Sequence, residues 1–139
     1  SKERIRAILR GVTEIESVAD SCHNMARHYR RKWEAKTTFP DNLKENINIM
    51  FNLLDKAFDK MQEVLKYQEV SDSDMMESVN YENRINEMRN MLKRKNIEDI
   101  NNNIYDYQTG VFYTDLVSEC EHMGDYIINV VETVKHKKF

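Results

Sequence analysis

Only three glycines and one proline occur in 139 residues. That is too little turn chemistry for a series of hairpins, which excludes a sandwich or barrel of many short strands. Cysteine is equally scarce. Cys22 and Cys120 make no C-x-x-C pattern, so no disulfide framework or thiolate zinc motif is expected, and both read as reduced packing residues of an intracellular protein. Long hydrophobic runs are missing too. Apolar stretches such as Tyr126 to Ile128 break off within a few residues, so neither a signal peptide nor a spanning segment is predicted. There is also no excess of positive charge. Lys and Arg total 21 against 24 Asp and Glu, a net charge of −3, which argues against a general nucleic-acid-binding surface. The basic clusters Arg27 to Lys32 and Lys135 to Lys138 fall at predicted helix ends, where cations complement the helix dipole.

What remains is a chain with 32% charged and 40% hydrophobic residues, a mixture suited to amphipathic helices. We read it as all-α, one domain over residues 1–139, with helices over about 2–35, 41–68, 74–108 and 111–137. The first carries Ile5, Ile8, Val12, Ile15, Cys22, Tyr29 and Trp33 at the three-and-four spacing of one buried stripe. Pro40 and Asp41 start the second, whose Leu43, Ile47, Met50, Leu54, Phe58, Met61 and Leu65 form a heptad-like seam. In the third, Tyr81, Ile85, Met88 and Leu92 are followed by a phase shift to Ile97, Ile100, Ile104 and Tyr107, so a kink is expected near Asn96. Gly110 is expected to end that helix. The fourth buries Leu116, Cys120, Met123, Ile127, Val130 and Val134. Short connections between long helices imply an antiparallel up-down-up-down four-helix bundle.

Two stretches of this bundle repeat each other. Thr13 to Ala26 and Ser118 to Val131 superpose at an offset of 105 residues (119 minus 14), matching Glu14 to Glu119, Glu16 to Glu121, Asp20 to Asp125 and Asn24 to Asn129. A small residue, Ala19 or Gly124, precedes each Asp. On a helical wheel Glu16, Asp20 and Asn24, like Glu121, Asp125 and Asn129, line one flank of the core stripe. The small residues would let a backbone or ligand come close. Carboxylates four residues apart on a helix repel by only about 0.2–0.5 kcal/mol, so one copy reads as a solvated acidic face. Two matched copies favour a site. Glu16, Asp20, Glu121 and Asp125 are the expected ligands of a divalent or iron-type metal, with Glu14, Glu119, Asn24 and Asn129 as a supporting polar stripe.

The segments Tyr81-Glu82-Asn83-Arg84-Ile85-Asn86-Glu87-Met88-Arg89, Gly110 to Leu116 and Glu121-His122-Met123-Gly124-Asp125 resemble the last repeat of the PhoU family of phosphate-uptake regulators. They are most similar to the cytoplasmic PhoU-like tail of bacterial Na+/phosphate cotransporters. Ala19 stands where the family has Gly, and His122 where it has Arg. The resemblance implies one three-helix repeat preceded by the closing helix of another, which agrees with a start at Ser1 rather than Met. It further implies metal binding through the acidic motifs, a cytoplasmic location at the inner face of the membrane, and the membrane part of a transporter on the same polypeptide as partner. Regulation by interaction is implied, and no catalysis.

Two readings of other classes stand beside this one. Glu119-x-x-His122 and Asp20-x-x-His23 have the spacing of di-iron carboxylate bundles, which act as oxidoreductases or iron stores. However, His122 points about 120° from the apolar centre of its helix, and His23 and His122 are not equivalent in the repeat. A ligand-free dimerising helical bundle is the other, supported by the seam of the second helix.

Overall fold

A computed structural model describes residues 1–137. Four long helices account for most of them: α1 (Lys2–Glu34), α2 (Asp41–Tyr67), α3 (Asp72–Asn101) and α4 (Tyr107–Lys137). Lys138, the end of the second basic cluster, lies outside the described residues. Local chemistry fixes most helix starts. The Ser1 hydroxyl accepts the Arg4 amide at 3.3 Å, and Ser71 with Asp74 forms a reciprocal capping box at 3.0 Å in both directions, satisfying donors that no intrahelical carbonyl can reach. With glycine scarce, the left-handed turn positions are taken by Lys36, Gln68 and Asn103 (φ 56°, 55° and 57°).

The helices alternate in direction. Lys60 of α2 reaches Asp74 (3.1 Å) and Glu77 (3.2 Å) at the start of α3. Arg89 and Asp72 of α3 pair with Glu121 and Lys135 of α4, each at 2.9 Å. Glu14 and Ser21 of α1 meet Asn129 and Glu119 of α4. The cross-section is not a square. α4 packs against all three other helices and α2 packs against α3, while the backbone of α1 approaches only α4. The Tyr29 and Phe51 rings, 6.4 Å apart, bridge the open side between α1 and α2. The main core therefore lies among α2, α3 and α4, where Met50, Leu116, Val117, Val130, Val131 and Ile85 are all but sealed from water.

Three expectations are corrected. The α1 stripe is not buried: Ile5, Ile8, Val12, Ile15, Tyr29 and Trp33 are exposed, and α1 docks on α4 through Ala7, Gly11, Val18, Ser21 and Met25 instead. Those residues are mostly small, so the helices come close. Second, α3 runs through Asn96 without a break and ends at Asn101 rather than near 108, leaving Ile97, Ile104 and Tyr107 exposed. Third, Gly110 sits inside the first turns of α4. A Cβ there would collide with the Ile100 side chain, so its role is close helix packing. Buried Asn96 organises this junction. It donates to the Thr114 hydroxyl (2.9 Å) and the Gly110 carbonyl (3.3 Å) and accepts from the Tyr105 hydroxyl (2.5 Å). The Asp106 carboxylate accepts the Thr109 amide at 2.8 Å, which starts α4 four residues earlier than the apolar pattern indicates. No helix among the described residues is long and apolar enough to cross a membrane.

Candidate functional site

Residues two apart on a helix point about 200° from each other, and on α4 this sends Glu119 and Glu121 to opposite partners. Glu119 turns into the α1 interface and is buried. Its carboxylate accepts the Ser21 hydroxyl at 2.7 Å and lies 3.3 Å from His28 Nε2. A carboxylate withdrawn from water needs such donors. A second α1–α4 contact has Asn129 donating to Glu14 at 3.3 Å. The supporting stripe thus joins the two repeat helices. Asn24 is half-buried on α1.

Glu121 and Asp125 face α3. The Arg89 guanidinium lies 2.9 Å from Glu121, and the carboxyl groups of Asp125 and Glu82 share a hydrogen bond. Burial, reinforced by the adjoining carboxyls of Glu121 and Glu82, pushes Asp125 up to about 7. Burial also raises Glu82, helped by the charges of Glu132 and Glu121. Two carboxyls this close favour holding one proton between them. Asn86, one turn from Glu82, has a buried side-chain oxygen without a partner. The cluster is a partly compensated acidic group between α3 and α4: the Arg89 cation and one proton offset two of the three carboxylate charges of Glu82, Glu121 and Asp125. Gly124 lets it form. A Cβ at that position would stand 3.3 Å from Ile85 Cδ1 and 3.9 Å from Leu54, so α3 and α2 both approach α4 there.

The four expected metal ligands are not brought together. Glu16 and Asp20 are exposed on α1, as is Ala19, while Glu121 and Asp125 lie on the side of α4 turned to α3. Among the described residues no group of three or more His, Cys, Asp or Glu is placed to hold a metal ion. His23 and His122 are exposed. Glu82, Asn86 and Arg89 belong to the segment that carries the family resemblance but are not among the expected ligands, because the apolar stripe of α3 gives them no place beside α4. Their spacing carried a signal, since Glu82 and Asn86 stand one turn apart on the polar flank beside Ile85. Ser21 and His28 carried none, because they matter only once α1 is rotated onto α4.

A family model, that of the PhoU domain, matches residues 47–134, which is most of α2 and all of α3 with α4 to Val134. No curated protein and no solved structure matches the chain.

Proposed function

The chain belongs to the PhoU domain family, and from that premise we propose that it regulates phosphate uptake by interaction, as the cytoplasmic domain of a Na+-dependent phosphate transporter. The observation that carries this reading is the coincidence of the family match with one structural unit. Residues 47–134 take in the three helices whose side chains make the main core, and the acidic motif of α4 sits in their midst. The acidic cluster holds carboxyls, an amide and a guanidinium, groups suited to binding a proton or cation. Deleting the domain from its host's gene and measuring phosphate uptake in high and low phosphate tests the reading. Uptake that no longer adjusts to external phosphate is expected; unaltered adjustment overturns it.

Within this reading, Glu121 and Asp125 would offer two oxygen ligands to a divalent metal with water completing its shell, and exposed Glu16 and Asp20 would not join them. Oxygen ligands of this kind suit hard cations. Binding there requires release of the proton shared by Asp125 and Glu82, so affinity would rise with pH. Titration calorimetry with Mg2+ and Mn2+ at pH 6 and pH 8 checks this. Glu121→Gln with Asp125→Asn is expected to abolish the heat of binding, and Glu16→Gln with Asp20→Asn to leave it. The reverse result moves the site to α1.

A further inference from the structure

Because the helices alternate in direction, the α1–α2 and α3–α4 turns lie at the same end of the bundle. The Phe39 ring of the first turn packs edge-on against Tyr113 in the opening turns of α4, with centroids 6.0 Å apart. Bulky side chains stand out into water from both turns. Trp33 beside the first is 81% exposed, and Ile104 and Tyr107 in the second are 61% and 73% exposed. Ile104 and Tyr107 fall within the residues matched by the family model. Trp and Tyr combine an apolar body with a polar edge, the chemistry of side chains that sit among lipid headgroups.

Positive charge is concentrated at this same end. From Arg27 to Lys44 the chain has six Lys and Arg against two carboxylates, a charge of +4, so with −3 overall the remainder carries −7. Arg31 and Lys32, in the last turn of α1, answer to the helix dipole. Lys44 does not, because it lies near the N-terminus of α2, where the dipole disfavours a cation. Lys36 lies past the end of α1, in a left-handed turn position. Yet Lys32, Lys36 and Lys44 converge with Trp33 on one open hollow of about 640 Å³, lined also by Thr37 and Thr38. Of the six cations only Arg30 meets a carboxylate among the described residues, Glu34 at 3.9 Å. Carboxylates of the α3–α4 turn are engaged within the protein: Asp99 lies 3.0 Å from Lys95, and Asp106 accepts the Thr109 amide.

We propose that this end of the bundle docks on an anionic lipid surface, the lysines meeting its headgroup charges and Trp33, Ile104 and Tyr107 entering the headgroup layer. Each Lys or Arg brought to such a surface gains from its negative potential, and interfacial aromatics hold the contact at short range. A flat sheet of negative charge suits a patch confined to one end of a long bundle, because the acidic remainder of the chain then points away from it. A polymer such as RNA would run along onto that remainder and be repelled. The docking surface is built by side chains of the two turns, so it stands whether or not the chain regulates transport.

The chain has a single tryptophan, so the fluorescence of Trp33 in the full chain reads the contact directly. Vesicles of phosphatidylcholine mixed with phosphatidylserine should shift its emission to the blue, and added salt should reverse the shift. Pure phosphatidylcholine vesicles should leave it unmoved. In co-sedimentation with the mixed vesicles, Lys36→Gln and Lys44→Gln should each weaken binding about fivefold, and Tyr107→Ala should weaken it about as much. The helical circular dichroism should stay unchanged, since all three side chains are exposed. Emission that the mixed vesicles do not move, equal binding to both kinds of vesicle, or variants that bind as tightly as the parent chain overturn the proposal. So does a blue shift that single-stranded RNA produces and vesicles do not.

Discussion

α1 and α4 carry the same pattern 105 residues apart, and water treats them differently. On α4, Tyr113, Val117, Cys120 and Ile127 are each 2% exposed or less, whereas on α1 their equivalents Ile8, Val12 and Ile15 are 42–48% exposed, and Cys22 is exposed as well. Nothing in the apolar spacing distinguishes the two. The difference is that α4 has the α2–α3 hairpin on this face, while α1 has only an open side toward α2. An amphipathic stripe specifies that a helix packs, and its surroundings decide against what.

Substitutions at equivalent positions should separate the two helices, most strongly in the core. Ile127→Ala removes a side chain walled in by the hairpin and is expected to cost about 2–5 kcal/mol in urea unfolding. The equivalent Cys22→Ala, made in dilute protein, should change stability by less than about 0.5 kcal/mol. Next comes the contact that joins the repeats. Ser21→Ala takes away a donor from buried Glu119 and should cost about 1–3 kcal/mol.

The acidic motifs should differ in a pH-dependent way. Asp125 is raised in the folded chain to about 7 from an ordinary 3.8. The folded state therefore holds the proton more tightly than the unfolded one, and stability from this group is greatest below pH 3.8 and falls as pH rises towards 7. Because water reaches the carboxyl, the effect is on the order of 1–2 kcal/mol. Asp125→Asn should remove that slope and raise stability at pH 8, which unfolding at several pH values would show. The smallest effect belongs to the exposed copy: Asp20→Asn should move stability by under about 0.5 kcal/mol at any pH. A pH slope that follows Asp20 instead would break the contrast between the motifs.

Much of the fold is legible in the residues. The α2 seam from Leu43 to Leu65 is largely legible: Leu43, Ile47, Met50, Leu54 and Met61 are buried, and Phe58 and Leu65 are partly buried against the core. α1 misleads because the face it buries is made of Ala7, Gly11, Val18, Ser21 and Met25, which give a weaker hydrophobic signal than the bulky stripe next to it. The α3–α4 junction is hidden for a related reason. Polar Asn96 organises it, and polar side chains that pair across helices leave no periodicity of their own. The acidic flank of α4 could be placed from the wheel, but its neighbours Glu82 and Arg89 come from another helix, and only packing brings them there.

The most direct measurement is the rate at which the two thiols of the native chain react with a labelling reagent. Cys120 is buried, and that burial, with the charge of Glu119, pushes its thiol up to about 12, so it should stay unlabelled. Cys22, its exposed counterpart on α1, should react freely. A Cys120 that labels as fast as Cys22 in the native chain would contradict the contrast between the open stripe of α1 and the stripe of α4 sealed by the α2–α3 hairpin.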